Sequence, residues 1–336
     1  MQMLLDVIGF ALKGTVIVFA VLLITGSIVA LAKKGRHHEA RVLVRKLNKR
    51  FRQRADAVRQ AILGRKDFKR YLQQSSKEQK QKKTDKRRCF MMDFRGDIMA
   101  SAVTTLREEI SAIMPIISDK DEVIVRLESV GGVVHGYGLA ASQLARIKAK
   151  GVRLVICVDK VAASGGYMMA CVADEILAAP FAVVGSIGVV ASVPNLNRLL
   201  EKYGIDYEEV TAGEFKRTMS IFGKISPEGR KKFKEQIEDV HELFKEFINE
   251  HRPSLDIAKV ATGEYWYGKR ALELKLVDRL ITSDDYLLSQ GDSADIYQVT
   301  FKPPQDWRQR MTAAASDTSM QIVDNVVNRL NQRQIL

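Results

Sequence analysis

The chain has 336 residues, of which 46% are hydrophobic and 28% are charged. A chain of this length and composition can bury a sizeable core, which excludes disorder over most of its length. The net charge of +13 comes from one segment, because residues 33–88 carry 22 Lys or Arg against 5 Asp or Glu. Few aromatic residues are interleaved with these cations, so we expect no specific nucleic-acid binding.

The N-terminal segment predicts a membrane anchor over residues 1–32. Residues 14–32 read GTVIVFAVLLITGSIVALA and contain no charge. As a helix they match the roughly 30 Å hydrocarbon core of a bilayer. A cleaved signal peptide ending at Ala30-Leu31-Ala32 is the alternative, but the apolar stretch exceeds the usual hydrophobic region of about 7–15 residues. By the positive-inside rule, the basic residues that follow would place the rest of the chain in the cytoplasm. A family resemblance described below leans partly the other way, so both sides of the membrane stay open.

Residues 33–88 are predicted to form a basic juxtamembrane linker. Apolar residues from Val42 and Leu43 to Leu63 recur with helical periodicity, which indicates an amphipathic helix near anionic lipid headgroups. The segment then becomes KEQKQKKTDKRR, which is typical of a solvated tether. We therefore expect this linker, together with the anchor, to contact membrane lipids.

Residues 89–285 predict an α/β domain, because short apolar runs alternate with helix-like segments. The runs CFMMDF, VIVRLES and VRLVICV predict strands, and residues 100–114, 135–148 and 227–249 predict helices. Residues 176–194 also lack charge, but prolines and glycines interrupt them, which favours buried strand and turn over a second membrane span. A C-terminal extension, 286–336, ends in apolar residues at near-helical spacing that indicate an amphipathic tail.

The three cysteines predict buried free thiols. Cys89, Cys157 and Cys171 are odd in number and show no CxxC spacing, and the last two lie in apolar runs. Neither a disulfide framework nor a zinc site is expected.

Ser164 is the first candidate for chemistry. It lies in ASGG, after a β-rich run and before a predicted helix. A serine at such a turn exposes its hydroxyl near backbone N–H groups, which suits a nucleophile. A helix N-cap serine explains the same pattern. Upstream, Gly131 and Gly132 follow a predicted strand and could turn N–H groups toward an oxyanion, or could serve a turn with positive φ.

A serine nucleophile needs a base, and histidine is a poor candidate here. His241 and His251 lie in a highly charged helical stretch, where solvated roles are expected, and no carboxylate is placed to orient His135. Lysine is the alternative, provided that desolvation or a neighbouring cation makes it neutral. TAGEFKRTMS offers Lys216 after a predicted strand, beside the cation Arg217, but among 53 Lys and Arg residues the pattern alone does not single it out.

Motifs in a fixed order carry a family resemblance over roughly residues 90–285. They are VGGVVHGYG, AASGGYMMA, VGSIGVV, GEFKR and ATGEYWYGKRALELKLVDRL. Together they resemble the signal peptide peptidase (SppA) family of Ser-Lys serine proteases. The resemblance implies that Ser164 is the nucleophile and Lys216 the general base, and that no metal or organic cofactor is needed.

The same resemblance implies the other site residues. The N–H groups of Gly165 and of the Gly131-Gly132 turn would form the oxyanion hole, and Ser186 would hold the lysine amine in place.

The resemblance also sets expectations for the whole protein. It implies a ClpP/crotonase-like spiral of ββα units, a homo-oligomer, and a location in the bacterial inner (plasma) membrane. Substrates would be apolar polypeptides, such as signal peptide remnants or misfolded segments. Two other functions stay open: crotonase-like acyl-thioester chemistry that does not need Ser164, and a catalytically idle membrane scaffold.

Overall fold

The computed structural model describes residues 41–81, 86–291 and 293–303. Val42–Phe301 form one compact unit, and the second unit, Met1–Arg41 with Lys302–Leu336, lies almost wholly outside the described residues. Within the described ranges, no helix combines the length and apolarity that a bilayer span requires. The predicted anchor and the predicted amphipathic tail lie outside these ranges and stay predictions.

Ten strands are described. They are β1 (Arg41–Lys46), β2 (Arg87–Arg95), β3 (Glu122–Glu128), β4 (Arg153–Val158), β5 (Val161–Ala163), β6 (Glu175–Ala178), β7 (Val183–Gly185), β8 (Tyr265–Tyr267), β9 (Arg279–Leu280) and β10 (Ala294–Lys302). Seven form one sheet in the order β1-β10-β2-β3-β4-β6-β9. Every neighbouring pair from β10 to β9 is parallel. A smaller sheet has the order β5-β7-β8.

The described helices connect these strands. They are α1 (Leu47–Ile62), α2 (Arg65–Gln81), α3 (Val103–Ile113), α4 (Val134–Ala149), α5 (Gly165–Ala170), α6 (Asn197–Lys202), α7 (Pro227–His251), α8 (Ile257–Val260), α9 (Gly268–Glu273) and α10 (Ser283–Gln290). Parallel strands need such crossovers, so the α/β class predicted from the sequence is confirmed. The predicted strands match β2, β3 and β4, and the predicted helices match α3, α4 and α7.

The large sheet is buried on both faces. Because successive side chains of a strand point to opposite faces, Phe90 and Met92 of β2 enter one core and Cys89 and Met91 enter the other. The first core contains residues of α3, α4 and α5, and the second contains Leu47 and residues of α10. Burial on both faces explains why these strands read as continuous apolar runs.

Part of the basic segment belongs to the large sheet, which is not expected of a juxtamembrane linker. Val42 and Leu43, predicted to be helical, lie in β1, and the helical periodicity belongs to α1 and α2. The side-chain amide of Asn48 donates from Nδ2 to the carbonyls of Gly291 and Ala294, and its Oδ1 accepts from the N–H of Ile296. The predicted boundaries 89 and 285 therefore do not coincide with the edges of the sheet, because β1 and β10 extend it.

Part of the segment predicted to be a solvated tether has regular structure. Residues 77–81 complete α2, and Arg87 and Arg88 begin β2. Arg88 pairs with the buried carboxylate of Asp121, at 2.5 Å. Arg87 also pairs with a carboxylate of the sheet, that of Glu122, so both arginines contribute to the fold.

The uncharged stretch 176–194 forms strands β6 and β7 rather than a membrane-spanning helix, as predicted. All three cysteines are buried and free. Burial raises the pKa of Cys89 to about 12 and raises those of Cys157 and Cys171 further. The prediction of unpaired buried thiols is confirmed.

Glu109 is a buried acid on α3 that contacts the C-terminal part of β10. Its Oε1 accepts a hydrogen bond from the N–H of Phe301, at 2.9 Å, while Oε2 is buried without a partner among the described residues. Burial, aided by the nearby Asp93 carboxylate, raises the pKa of Glu109 from 4.5 to about 7. The folded protein therefore favours the neutral acid.

Because a raised carboxyl pKa stabilises the fold at low pH, this contribution is complete below pH 4.5 and is lost as pH rises through 7. We expect Glu109→Gln to be more stable than the wild type at pH 8, by up to about 3 kcal/mol, and similar at pH 5. Thermal unfolding of the two proteins at both pH values measures this. Glu108→Gln, a partly exposed neighbour, is the control, and equal effects of the two substitutions would contradict the prediction.

Candidate active site

Ser164 lies in a strained turn between β5 and α5. Its backbone has φ 52° and ψ −119°, a region that costs a non-glycine residue about 1–3 kcal/mol. Ser164 occupies the N-cap position of α5, yet its side chain makes no capping hydrogen bond. Capping therefore does not explain this serine. A strained turn that presents a free hydroxyl at the start of a helix is the geometry of a nucleophile.

The turn after β3 packs directly against Ser164. Gly131 has φ +90°, and a Cβ added there would lie 2.7 Å from the Cβ of Ser164 and 2.8 Å from the backbone N of Gly165. No real side chain tolerates such contacts, so this position requires glycine for both its conformation and its space. A Cβ at Gly132 would collide with the Ile98 carbonyl. The two glycine turns thus meet at the hydroxyl.

Backbone N–H groups are available beside Ser164. The N–H of Gly131 donates to the Oγ of Ser129, at 3.0 Å. The N–H groups of Gly132 and Gly165, by contrast, have no hydrogen-bond partner within the described part of the chain. Two unpaired N–H groups on adjoining turns are the components of an oxyanion hole.

A buried network holds the Gly131 turn. Ser129 Oγ and Tyr137 Oη lie 2.5 Å apart, and Tyr137 donates to the Asp97 carbonyl at 2.7 Å. Burial raises the pKa of Tyr137, which keeps the phenol protonated as a donor. The N–H of Val133 donates to the Ile98 carbonyl, at 2.9 Å. The turn is therefore tied to the segment after β2 at several points.

Ser186 follows β7 and also has a positive φ, 51°. Its N–H donates to the Glu264 carbonyl at 2.7 Å, and its Oγ lies 3.5 Å from the Gly263 carbonyl. The N–H of Ser164 donates to the carbonyl of Gly185, at 2.8 Å. The small sheet thus brings the two strained serines to the same place.

These residues line one cleft of about 740 Å³. Its other walls come from the loop after β7, from α7 and from the turn before β8. The lining residues are Ile98, Val130, Gly131, Gly132, Val133, Val134, Ser164, Gly165, Met168, Ser186, Gly188, Val189, Val190, Val240, His241, Phe244, Thr262 and Gly263. The cleft is large enough for several residues of a polypeptide, and its side chains are mainly apolar.

Lys216 does not line this cleft. It is exposed in a turn in which its N–H donates to the Gly213 carbonyl at 3.2 Å, and the strand predicted before it is absent from this described segment. Its amine makes no hydrogen bond or ion pair with a described residue. The structure therefore brings together Ser164, the glycines and Ser186, and leaves Lys216 outside the group.

His241 is a cleft residue that was not predicted from the sequence. It was predicted to be solvated, but it lines the cleft, and its Nε2 is buried. The signal was the spacing of Ile237, His241, Phe244 and Ile248, which places the histidine on the apolar stripe of α7. The dense charge of the opposite face concealed this stripe.

Comparison with known protein families agrees with the site. The model described as peptidase family S49 matches residues 146–296, and the model described as peptidase family S49 N-terminal matches residues 2–144. A protein named probable protease SohB from Haemophilus influenzae is 41% identical over 97% of this chain and 95% of its own length. The chain belongs to peptidase family S49. The sequence-based prediction of an SppA-like, SohB-like protease is thereby confirmed.

The chain is also similar to a second curated relative and to a solved structure. A probable protease SohB from Buchnera aphidicola is 53% identical over 70% of each chain. Among solved structures, this chain is similar to a 1510-N membrane-bound stomatin-specific protease mutant in complex with a substrate peptide, with 13% identity and a TM-score of 0.41. That match covers 70% of this chain and all of the other.

We expect Ser129→Ala to destabilise the fold by about 1–3 kcal/mol, because it leaves the N–H of Gly131 and the hydroxyl of Tyr137 without their shared partner. Peptide cleavage should fall with it, since the turn against Ser164 loosens. Thermal unfolding and the rate of cleavage of an apolar reporter peptide measure the two effects.

Ser142→Ala is the matched control, because the Ser142 hydroxyl bonds the Gly138 carbonyl at an exposed site on α4. Equal stability and equal cleavage rates for both variants would show that the buried network does not hold the turn.

Proposed function

We propose that this chain is a membrane-anchored serine endopeptidase with a Ser-Lys dyad. The observation that carries the proposal is the strained, uncapped Ser164, which lies in an apolar cleft beside two unpaired N–H groups. Membership of a peptidase family supports peptide-bond hydrolysis as the reaction.

In the proposed mechanism, neutral Lys216 takes the hydroxyl proton of Ser164 as Oγ attacks the peptide carbonyl. The N–H groups of Gly132 and Gly165 donate to the resulting oxyanion, while Gly131 supplies the close turn. The C–N bond then breaks, the leaving amine takes the proton from Lys216, and an acyl-enzyme remains. Lys216 next removes a proton from water, whose oxygen attacks the acyl carbon; the bond between that carbon and Ser164 Oγ then breaks, and Oγ takes the proton back from Lys216, which restores both groups.

Lys216 has to enter the cleft for this mechanism to operate. It lies in a segment without regular structure, residues 203–226, whose apolar side chains include Val210, Ile221 and Phe222, all exposed. A second copy of the chain would bury such side chains. We propose a homo-oligomer in which this segment brings Lys216 to Ser164 of its own or a neighbouring copy, with Ser186 holding the amine.

The proposed substrates are apolar polypeptides, such as signal peptide remnants or misfolded segments. The valines of the cleft wall support this class, because they remove apolar side chains from water. We propose that residues 1–32 anchor the chain in the bacterial inner membrane and that the basic residues after them contact anionic lipid headgroups. We also propose that the ββα units are arranged as in the ClpP/crotonase spiral.

Substitution of either dyad residue tests the proposal. We expect Ser164→Ala and Lys216→Ala each to lower cleavage of an apolar peptide by the purified full-length protein, by roughly 10³-fold or more. Lys231→Ala, an exposed lysine of α7, is the control. Full activity in either dyad variant would contradict the mechanism. Acyl-CoA turnover that survives Ser164→Ala would favour thioester chemistry, and an inactive wild type would favour the scaffold.

Mixing the two inactive variants distinguishes the sources of the lysine. If Lys216 comes from a neighbouring copy, co-assembled Ser164→Ala and Lys216→Ala proteins regain cleavage, because some clefts combine an intact serine with an intact lysine. If Lys216 comes from the same chain, the mixture stays inactive.

A further inference from the structure

His241 is the sole ionisable side chain among the residues that line the cleft in the described part of the chain. Its neighbours on that wall are Val240 and Phe244, and the lining elsewhere is mainly valine and glycine. A histidine in such a wall differs sharply from the solvated histidine that a charged helix predicts. Its position calls for a partner that the described residues do not supply.

The ring nitrogen Nε2 of His241 is buried and has no hydrogen-bond partner among the described residues. Leaving a buried polar atom unpaired is unfavourable, because the atom has lost its hydrogen bonds to water. The residue lines the cleft while this nitrogen is closed to solvent, so a ligand reaches Nε2 once the imidazole ring turns it into the cleft. A bound molecule that then offers a hydrogen bond gives the nitrogen the partner that it lacks, whereas a purely apolar one does not. The cleft therefore distinguishes ligands by a polar group at this point.

The helix that carries His241 is held firmly in place. Phe244 and Ile248 of α7 are buried in the main core, one and two turns after the histidine. Arg252, at the end of α7, donates to both carboxylate oxygens of Asp278, at 2.6 and 2.9 Å. His241 is thus presented by a rigid wall, which selectivity for one substrate position requires.

Other polar side chains of the cleft are already engaged. Thr262 donates to a carboxylate oxygen of Glu264, at 2.8 Å. The hydroxyl of Ser186 points to the Gly263 carbonyl, and Ser164 is the proposed nucleophile. His241 is left as the side chain available to recognise a substrate.

One wall of the cleft is formed by glycine turns and another by the helix α7. This difference indicates which part of a polypeptide meets His241. Glycines such as Gly131, Gly165 and Gly188 allow close approach to the substrate main chain, because they lack side chains. A helix, by contrast, satisfies its own backbone groups, so α7 offers only side chains. An ionised substrate group would lose its hydration among valines with one partner to replace it, which favours an uncharged group.

We infer that His241 is a specificity-determining residue that binds a hydroxyl or carboxamide side chain of the polypeptide in the cleft. The inference deepens the proposed function, on which it rests for the identity of the ligand as a polypeptide. Preferred substrates are apolar segments that carry a Ser, Thr, Asn or Gln at the position facing α7.

Peptide binding to full-length Ser164→Ala protein tests the inference without any need for cleavage. The probes are fluorescent apolar ten-residue peptides in which each position in turn is Val or Thr, which have nearly the same shape. Fluorescence anisotropy should give about tenfold tighter binding of the Thr peptide at one position. Adding His241→Phe should remove this difference, and His241→Gln should keep part of it, because Gln still offers hydrogen-bonding atoms.

His251→Phe is the matched control, because His251 lies on the same helix but stacks on Phe247 and does not line the cleft. It should keep the full Thr preference. Circular dichroism checks each fold, and His241→Leu replaces the Phe variant if that variant unfolds.

Several outcomes would overturn the inference: no Thr preference at any position, an unchanged preference in His241→Phe, or tighter binding of an Asp peptide than of its Thr counterpart. Cleavage of the Val peptides by the wild type tests the proposed function separately. Cleavage without a Thr preference keeps the protease and removes the role of His241. A Thr preference without cleavage keeps the role of His241 in binding and contradicts the proposed protease.

Discussion

The architecture of the site depends on the close approach of two turns, one carrying Gly131 and the other carrying Ser164. No Cβ fits between them, since it would lie 2.7 Å from the Ser164 Cβ. The approach places the N–H groups of Gly132 and Gly165, which have no partner among the described residues, beside the hydroxyl of Ser164. The backbone of Ser164 is held at a φ of 52°. The surrounding fold has to hold this strained arrangement in place.

The two sheets provide that support. The turn of Gly131 follows β3 of the large sheet, and Ser164 follows β5 of the small one, and the two are joined where Ser129 bridges to Ala162. The buried pair of Ser129 and Tyr137 then fixes the first turn from behind. Because hydrogen bonds rather than loose loops define both turns, the hydroxyl and the N–H groups are preorganised for chemistry.

Much of the fold could be predicted from the sequence, because the strands at its centre are buried on both faces and read as apolar runs. Ser164 and the glycines could also be placed, since a strand-to-helix turn with glycines has few conformations. Residues 41–48 could not, because their charge suggested a linker and only the pairing of β1 and the hydrogen bonds of Asn48 reveal their place in the sheet. His241 was missed because the charged face of α7 dominates its composition.

Lys216 marks the limit of local sequence information. Its motif follows the family order, but the segment around it has no regular structure and few buried side chains, so neither periodicity nor packing fixes its position. The position of the amine relative to Ser164 depends on contacts beyond those that shape the cleft. The strained serine and the glycine turns, in contrast, are complete within one chain.

Covalent labelling of the full-length protein with a serine-directed fluorophosphonate, followed by peptide mapping, tests the central claim most directly. If the strained turn activates a nucleophile, the phosphonyl group will be found on Ser164, and Gly131→Ala will abolish labelling because its side chain disrupts the turn. Labelling of a different serine, or an unmodified Ser164 in the correctly folded and assembled wild type, would contradict the account.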